Sequence, residues 1–118
     1  MSYAPPFQAK NIAYGSRDVP YKFAAIDALT NGATVVAAVA GKKINVHCLY
    51  ANAASANTCR FESAATTKLT GDIGVGTTAG MQFAFNPAGH FKTAAGEALT
   101  IALSASNIRG FVVYSEEP

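Results

Sequence analysis

The feature that most constrains the fold of this chain is a series of short runs in which apolar and polar residues alternate. Ile44–Ala51 reads INVHCLYA and Ala98–Ser104 reads ALTIALS, and alternate residues in both runs are apolar. Turn signals such as Asn31-Gly32 and Asn86–Gly89 separate the runs. About seven or eight such runs, with a turn roughly every 8–12 residues and almost no helical period, predict an all-β sandwich or barrel.

The beginning of the first run leaves one alternative open. Tyr21–Ala28 alternates weakly, as a strand would, but apolar residues within Asp18–Leu29 could also line one side of a helix. The pair Val19-Pro20 could begin such a helix. A strand is the prediction, because the remainder of the chain has so little helical period.

The two-residue period also predicts which side chains face the core. Ile44–Ala51 has one face of Ile44, Val46, Cys48 and Tyr50 and another of Asn45, His47, Leu49 and Ala51. In the next run, Thr58–Ser63, Cys59 and Phe61 point inward. The other predicted core positions are three phenylalanines and three aliphatic residues, namely Phe83, Phe85, Phe91, Leu99, Ile101 and Leu103.

The two cysteines permit two interpretations. If Ile44–Ala51 and Thr58–Ser63 formed a hairpin, Cys48 and Cys59 could lie opposite each other and form a cross-strand disulfide. Two buried free thiols are the prediction, because the chain has no recognisable export signal. With only two histidines and no paired cysteine motif, no metal site is expected.

Residues 1–19 differ from the run-and-turn pattern and predict an extended N-terminal arm, followed by a sandwich domain over residues 20–118. Pro5-Pro6 favours an extended backbone, and the segment has more aromatic residues than a solvated tail usually carries. We therefore expect Pro5, Pro6, Phe7 and Tyr14 to contact a partner protein. An N-terminal strand of the domain itself is the alternative.

Composition indicates which partners this chain has. Only 14% of its 118 residues are charged, and alanine supplies much of its apolar content, so we expect much of the surface to meet other protein. The net charge of +2 comes from scattered residues rather than a basic stripe, which excludes nucleic acid as an expected partner. No apolar run has membrane-spanning length and no signal peptide is recognisable, so we expect synthesis and assembly in a cytoplasm, without a membrane partner.

Sequence motifs for catalysis are weak. Gly71–Gly76 is rich in glycine but lacks the Gly-Lys-Ser/Thr ending of a phosphate loop, and is expected to connect strands. Neither His47 nor His90 has a neighbour in sequence that suggests a proton relay. The carboxylates of Glu62, Asp72 and Glu97 form no recognisable pair, and Glu116-Glu117 is expected to be a solvated tail. We expect no enzyme and no cofactor; glycan binding stays open, with Tyr50 and Tyr114 as possible platforms.

The segment FNPAGHFKTAAGEALTIALS (residues 85–104) resembles a pattern found in small structural proteins of tailed bacteriophages. That pattern runs F-N-P-x-G-aromatic-F-x-T-x-x-G-x-A-L-x-L-x-L-S, and the chain departs from it at His90, where an aromatic residue is expected. The upstream stretch VAAVAGKKINVHCLYANAASANTCRFESAATTKLTG is similar to earlier strands of the same family, so that the likeness covers about residues 33–115.

The resemblance implies a jelly-roll-like antiparallel β-sandwich that forms a homotrimer and belongs to the virion. Domains of this kind serve as capsid decoration (cement) proteins or as modules of tail or head fibres. The expected function is therefore non-enzymatic: a decoration protein that binds the major capsid protein, or another virion protein, and stabilises the shell. The alternative is a fibre module that binds a host receptor or glycan.

Overall fold

The computed structural model describes residues 20–77, 80–105 and 107–118, and its regular secondary structure is entirely β. The strands are β1 (Lys22–Leu29), β2 (Thr34–Val36), β3 (Lys43–Ala53), β4 (Asn57–Ser63), β5 (Thr67–Lys68), β6 (Ile73–Val75), β7 (Met81–Phe83), β8 (Phe91–Lys92), β9 (Leu99–Leu103) and β10 (Ile108–Glu117). The predicted all-β fold is confirmed. The helical alternative is wrong over Lys22–Leu29, which forms β1.

Two antiparallel sheets of five strands each make up the molecule. Sheet A has the order β1-β10-β3-β7, with β8 also pairing with β3; sheet B has the order β2-β9-β4-β5, with β6 also pairing with β4. The chain passes from one sheet to the other between β1 and β2 and between β3 and β4, and its last strand lies beside its first. This is the strand order of a jelly-roll-like sandwich.

The core lies between the sheets and consists of the inward side chains of both. Leu99, Ile101 and Leu103 on β9 are buried, as are Cys59 and Phe61 on β4, which confirms these five predictions. Two other predicted core residues, Phe83 and Phe91, are partly buried and pack against the core cluster.

Phe85 is wrongly predicted as a core residue, because 52% of it is exposed. Strand β7 ends at Phe83, so the alternation of faces that placed Phe85 inward ends two residues too early. The ring lies instead on the outer side of sheet A, 5.3 Å from the ring of Tyr21 between centroids.

A β-bulge at His47 reverses the predicted faces of β3 in the part of the strand that follows it. Val113 pairs with Cys48 and Tyr114 pairs with Val46, so His47 is an extra residue without a partner across the ladder. One inserted residue exchanges the two faces of a strand beyond it. The inward residues are therefore Ile44 and Val46 before the bulge and Leu49, Ala51 and Ala53 after it, whereas Cys48 and Tyr50 point outward.

The hairpin considered for the two cysteines does not form, because β3 belongs to sheet A and β4 to sheet B. Cys48 lies on the outer side of sheet A and is partly exposed, whereas Cys59 is buried in the core. Both thiols are free, as predicted. The prediction that both are buried is wrong for Cys48, since the bulge turns that residue outward.

The prediction that Glu116 and Glu117 form a solvated tail is wrong. Both residues belong to β10, where they pair with the first two residues of β3 and are partly buried. Lys22 Nζ lies 3.2 Å from Glu116 Oε1, and Asn45 Nδ2 donates a hydrogen bond of 2.6 Å to Glu117 Oε2. The last strand thus remains paired almost to the end of the chain.

Two tight turns fix the ends of strands. In the predicted turn at residues 86–89, Gly89 N donates to Asn86 O at 2.9 Å and Gly89 has a φ of +90°. Between β4 and β5, Ala64 and Ala65 have φ values of +55° and +60°, and Thr66 N donates to Ser63 O at 3.1 Å. Positive φ at both central residues, with this hydrogen bond, fits a type I′ β-turn over residues 63–66, within the three-residue connection between the paired residues Ser63 and Thr67.

The predicted arm lies outside the described residues. This applies to its boundary at residue 19 and to the four residues expected to contact a partner, Pro5, Pro6, Phe7 and Tyr14.

Candidate interaction surface

The outer side of sheet A carries exposed aromatic side chains. Among the described residues the exposed large hydrophobic side chains are Tyr21, Phe23, Tyr50 and Phe85, with exposed fractions of 39%, 67%, 38% and 52%. All four lie on this one side of the sandwich. Contiguous apolar surface of this kind marks sites where a protein meets another molecule.

Strand pairing places these side chains in two neighbouring groups. Phe111, on β10, has its ring centroid 5.8 Å from that of Phe23 on β1 and 6.5 Å from that of Tyr50 on β3. Cys48 and Val113, a directly opposed pair, lie beside them. We call the outward side chains of the whole region the aromatic face: Tyr21, Phe23, His47, Cys48, Tyr50, Phe85, Phe111 and Val113.

The second group is built around His47. Its ring centroid lies 4.9 Å from that of Tyr21, edge to face, and 6.1 Å from that of Phe85. The His47 side chain is only 1% exposed. The bulge therefore turns a histidine outward from the sheet, and two aromatic rings cover it.

Hydrogen bonds hold both ring nitrogens of His47. Nδ1 lies 2.9 Å from Asn86 O, and Nε2 lies 2.7 Å from Ser115 Oγ. Because a carbonyl oxygen only accepts, Nδ1 donates to Asn86 O, and Nε2 forms the second hydrogen bond with the hydroxyl of Ser115. A Ser–His pair at this distance has the form of a nucleophile with its base. Ser115 is 1% exposed, however, so the pair ties β3 to β10 and to the loop after β7.

His90 closes the neighbouring loop. Its Nε2 donates to Ala84 O at 2.6 Å, and its ring centroid lies 5.4 Å from that of Phe83. The side chain is exposed but is held by the turn that it follows, so its contacts here are structural.

The outer side of sheet B has a different chemistry. Arg60 contacts two carboxylates, Glu62 through Nε at 2.8 Å and Asp72 through Nη1 at 2.8 Å. The hydrogen bonds that Arg60 donates to Glu62 and then to Asp72 raise the pKa of Arg60 above its ordinary value. Arg60 and Asp72 also line a shallow polar depression of about 330 Å³, together with Asn31, Thr58, Ala102, Leu103 and Ser104.

A second depression, of about 450 Å³, opens at one end of the sandwich. It is lined by Lys43, Ser63, Thr67, Leu69, Lys92, Thr93, Ala94 and Ala95. Ser63 Oγ donates to Glu97 Oε1 at 2.5 Å and accepts from Ala94 N at 3.1 Å. Thr93 Oγ1 accepts from Ile44 N at 2.9 Å. The buried hydroxyl groups of this depression are therefore occupied by bonds within the protein.

Glu117 contacts Lys92, which is one of the residues that line this second depression. Partial burial raises its pKa, but the hydrogen bond from Asn45 and the charge of Lys92 outweigh that effect, so its pKa is lowered overall. Lys92 Nζ lies 3.4 Å from Glu117 Oε1. The pair therefore joins the end of β10 to β8 across β3.

The three carboxylates that could take part in catalysis lie at two separate places, and each has a structural partner. Glu62 and Asp72 meet at Arg60, as described, and Glu97 binds Ser63 at the other depression. Within the part of the chain that the structure describes, no three His, Cys, Asp or Glu side chains lie close enough to hold a metal ion. Residues 73–75 of the glycine-rich stretch form β6, so this stretch is partly strand.

The sequence does not predict the aromatic face as one surface, although it predicts a role for some of its residues. Tyr21 and Phe23 share a strand face in the sequence, but nothing there shows that this face points to solvent. Simple alternation does not predict that Tyr50 points outward, because the bulge at His47 changes the phase of the strand. Tyr114, the other possible glycan platform, packs against the core and is unsuited to that role.

Comparisons with protein-family models, with curated proteins and with solved structures give no match. Among the described residues there is no helix that could cross a membrane. The class defined by fold and surface is therefore a jelly-roll-like β-sandwich with an aromatic outer face.

Proposed function

We propose that this chain is a non-enzymatic virion structural protein, a capsid decoration protein that binds the outside of a phage head and stabilises its shell. The observation that carries the proposal is the aromatic face, where about half or more of Phe23 and Phe85 is open to solvent. Burial of such side chains against other protein is favourable by roughly 25 cal/mol per Å² of apolar area. A protein that acts by adding buried area needs such a surface.

Three further observations support an assembly role. Jelly-roll sandwiches are a common architecture of viral capsid domains. The segment at residues 85–104 resembles a phage structural family, and within it the turn at residues 86–89 and the buried face of Leu99, Ile101 and Leu103 are scaffold features. The low content of charged residues, 14%, suits a protein that is largely covered, as a homotrimer bound to the major capsid protein would be.

The test is addition of purified protein to expanded capsids that lack it. Binding should be saturable, and the temperature at which the shell releases its contents should rise. A Pro5→Ala/Pro6→Ala/Phe7→Ala variant should bind more weakly if the arm contacts the capsid. Lys68→Ala, an exposed position on sheet B, is the matched control and should bind as the parent does. Absence of both binding and heat resistance would contradict the proposal.

A second function has one observation in its favour. The polar depression at Arg60 and Asp72 offers amide, hydroxyl and carboxylate groups of the kind that orient sugars. A receptor- or glycan-binding fibre module would use this depression. Host adsorption should then fall in an Asn31→Ala/Asp72→Ala variant, and the protein should be present in about a dozen copies per virion rather than hundreds.

A further inference from the structure

Three polar side chains from three neighbouring strands meet near one end of sheet A. Lys92 on β8 lies directly opposite Asn45 on β3. Glu117 on β10 pairs with Lys43, two residues before Asn45 on the same strand. Lys92 and Glu117 nevertheless contact each other, with 3.4 Å between Nζ and Oε1. This contact crosses β3, so Asn45 lies on the strand between the two charged residues.

One carboxylate contacts both side-chain nitrogens. Asn45 Nδ2 donates a hydrogen bond of 2.6 Å to Oε2 of Glu117, and Lys92 Nζ lies 3.4 Å from Oε1 of the same side chain. Directly opposed residues of an antiparallel pair have Cβ atoms about 4.5–5.5 Å apart. The four-carbon stem of Lys92 is long enough to bring Nζ to the amide carbon Cγ of Asn45 over such a distance. An amine, an amide and a shared carboxylate are the groups that an amide cross-link requires.

The amide of Asn45 is largely shielded from water. The residue is 2% exposed, its Nδ2 also donates to Ala88 O at 3.1 Å, and a Cβ added to Gly89 would overlap its Oδ1. Water, which would hydrolyse the amide to a carboxylate, therefore has little access to it. An amine held beside the amide reacts instead at an effective concentration that can reach about 10⁵ M or more when the two groups are well oriented.

We propose that Lys92 and Asn45 form an intramolecular isopeptide bond after the chain has folded, with Glu117 carrying protons between the two nitrogens. The bond from Nζ to Cγ forms, and the bond from Cγ to Nδ2 breaks. Of the three hydrogens on the Lys92 ammonium, one stays on the new amide and two leave with Nδ2 as an ammonium ion. No atom is oxidised or reduced. The inference does not rest on the proposed function, because a cross-link within one chain needs no capsid.

Glu117 is the residue that makes the two nitrogens reactive. A lysine amine is mostly protonated at neutral pH and has no lone pair until it loses a proton. Although partial burial opposes it, the hydrogen bond from Asn45 and the charge of Lys92 lower the pKa of Glu117, so its carboxylate is ionised and accepts that proton. Because 51% of the Lys92 side chain is exposed and stays well solvated, we expect a slow reaction that accumulates after folding.

The first experiment measures the mass of the intact full chain, freshly folded and again after storage at mildly alkaline pH. The parent should lose about 17 Da, which is the mass of one ammonia. Lys92→Arg keeps a cation beside Glu117 and should retain its full mass. The matched control is Lys43→Arg, at the neighbouring lysine, which should lose ammonia at the parental rate. An unchanged mass in the parent, or a loss that requires Lys43 rather than Lys92, would overturn the proposal.

Peptide mapping separates the cross-link from a succinimide, whose formation at an asparagine also releases one ammonia. Digestion with trypsin should give a branched peptide that joins Asn45 to Lys92, and cleavage after Lys92 should disappear as this peptide forms. The reaction should stop in urea, because it depends on the folded sheet. Loss of ammonia that persists in Lys92→Arg or in the unfolded parent would identify a succinimide and overturn the proposal.

A third variant tests the role of the carboxylate. Glu117→Gln retains an oxygen that accepts from Asn45 but cannot accept a proton from Lys92. The cross-link should form at least about a hundredfold more slowly in this variant, which is the usual loss when proton transfer by a side chain is removed. Urea denaturation of freshly folded protein shows whether the variant is folded. Cross-linking at the parental rate in folded Glu117→Gln would contradict the assignment of Glu117 and with it the proposal.

Discussion

Gly89 is a residue whose identity the fold clearly restricts. It has a φ of +90°, and a Cβ there would overlap the side-chain oxygen of Asn45. Asn45 is 2% exposed and cannot move freely, because its amide donates to Ala88 O and to Glu117 Oε2. The glycine in the turn at residues 86–89 is thus required by close packing as well as by backbone conformation.

Gly89→Ala should lower the free energy of unfolding by roughly 3 kcal/mol, since the substitution adds backbone strain and a steric clash. The matched control is Gly32→Ala: Gly32 has a φ of +84°, but a Cβ added to it would meet no atom within 4 Å. That variant should lose only about 1 kcal/mol. Urea denaturation measures both values, and equal losses would contradict a role for the Asn45 contact.

At the scale of elements, hydrogen bonds stabilise the turn between β4 and β5, although its two central alanines do not favour the conformation that they adopt. Ala64 N donates to Ala98 O at 2.9 Å, and Ala65 N donates to Thr100 Oγ1 at 2.9 Å. Both alanines adopt positive φ, which side chains with a Cβ rarely do. Contacts with β9 and the preceding loop therefore impose a turn type that the two alanines do not specify.

Replacing Ala64-Ala65 by Asn-Gly, the preferred type I′ sequence, should raise the free energy of unfolding by about 1 kcal/mol, because it relieves that strain and keeps both backbone donors. The same change at the exposed pair Ala37-Ala38, which has no positive φ, is the control and should lower it by roughly 0.5–1 kcal/mol. Thermal and urea unfolding report both. A loss of stability at residues 64–65 would mean that the backbone there is not of type I′.

Elements also show where prediction from sequence succeeds and where it fails. The faces of β4 and β9 follow from simple alternation, because the two strands pair with each other without a register shift. The faces of β3 do not, because a single bulge residue, His47, changes the phase, and bulges have no sequence signal comparable to alternation. The prediction that Phe85 belongs to the core fails for a related reason, because β7 ends at Phe83, before the turn signal at residues 86–89.

At the scale of the whole molecule, phenylalanine has different roles inside and outside the sandwich. Phe61→Ala, in the core, should cost about 3–5 kcal/mol of unfolding free energy, because it leaves a cavity at a side chain with no exposure. Phe23→Ala, at a side chain that is 67% exposed, should cost at most about 1 kcal/mol. Urea titrations of both variants decide this, and a large loss for Phe23→Ala would mean that the aromatic face contributes to folding itself.

The aromatic face could be predicted only in part, because it depends on how strands from distant parts of the chain pair in the whole molecule. Alternation in the sequence over Tyr21–Ala28 shows that Tyr21 and Phe23 share a side, but an aromatic side chain more often faces a core than solvent. Only the pairing of β1 with β10 and of β10 with β3 shows that this side is outside the sandwich. The site is a property of three strands that are far apart in the chain.

The outer surfaces of the two sheets differ in chemistry, so a bound copy of the molecule would have a defined orientation. If copies attach to a particle through the aromatic face of sheet A, the charged side with Arg60, Glu62 and Asp72 faces the surrounding medium. The turn at residues 64–65 joins two strands of sheet B at one end of the sandwich, beside the depression that Ser63 and Thr67 line. A peptide inserted there would then project from the end of each bound copy, in one orientation and at one height above the shell.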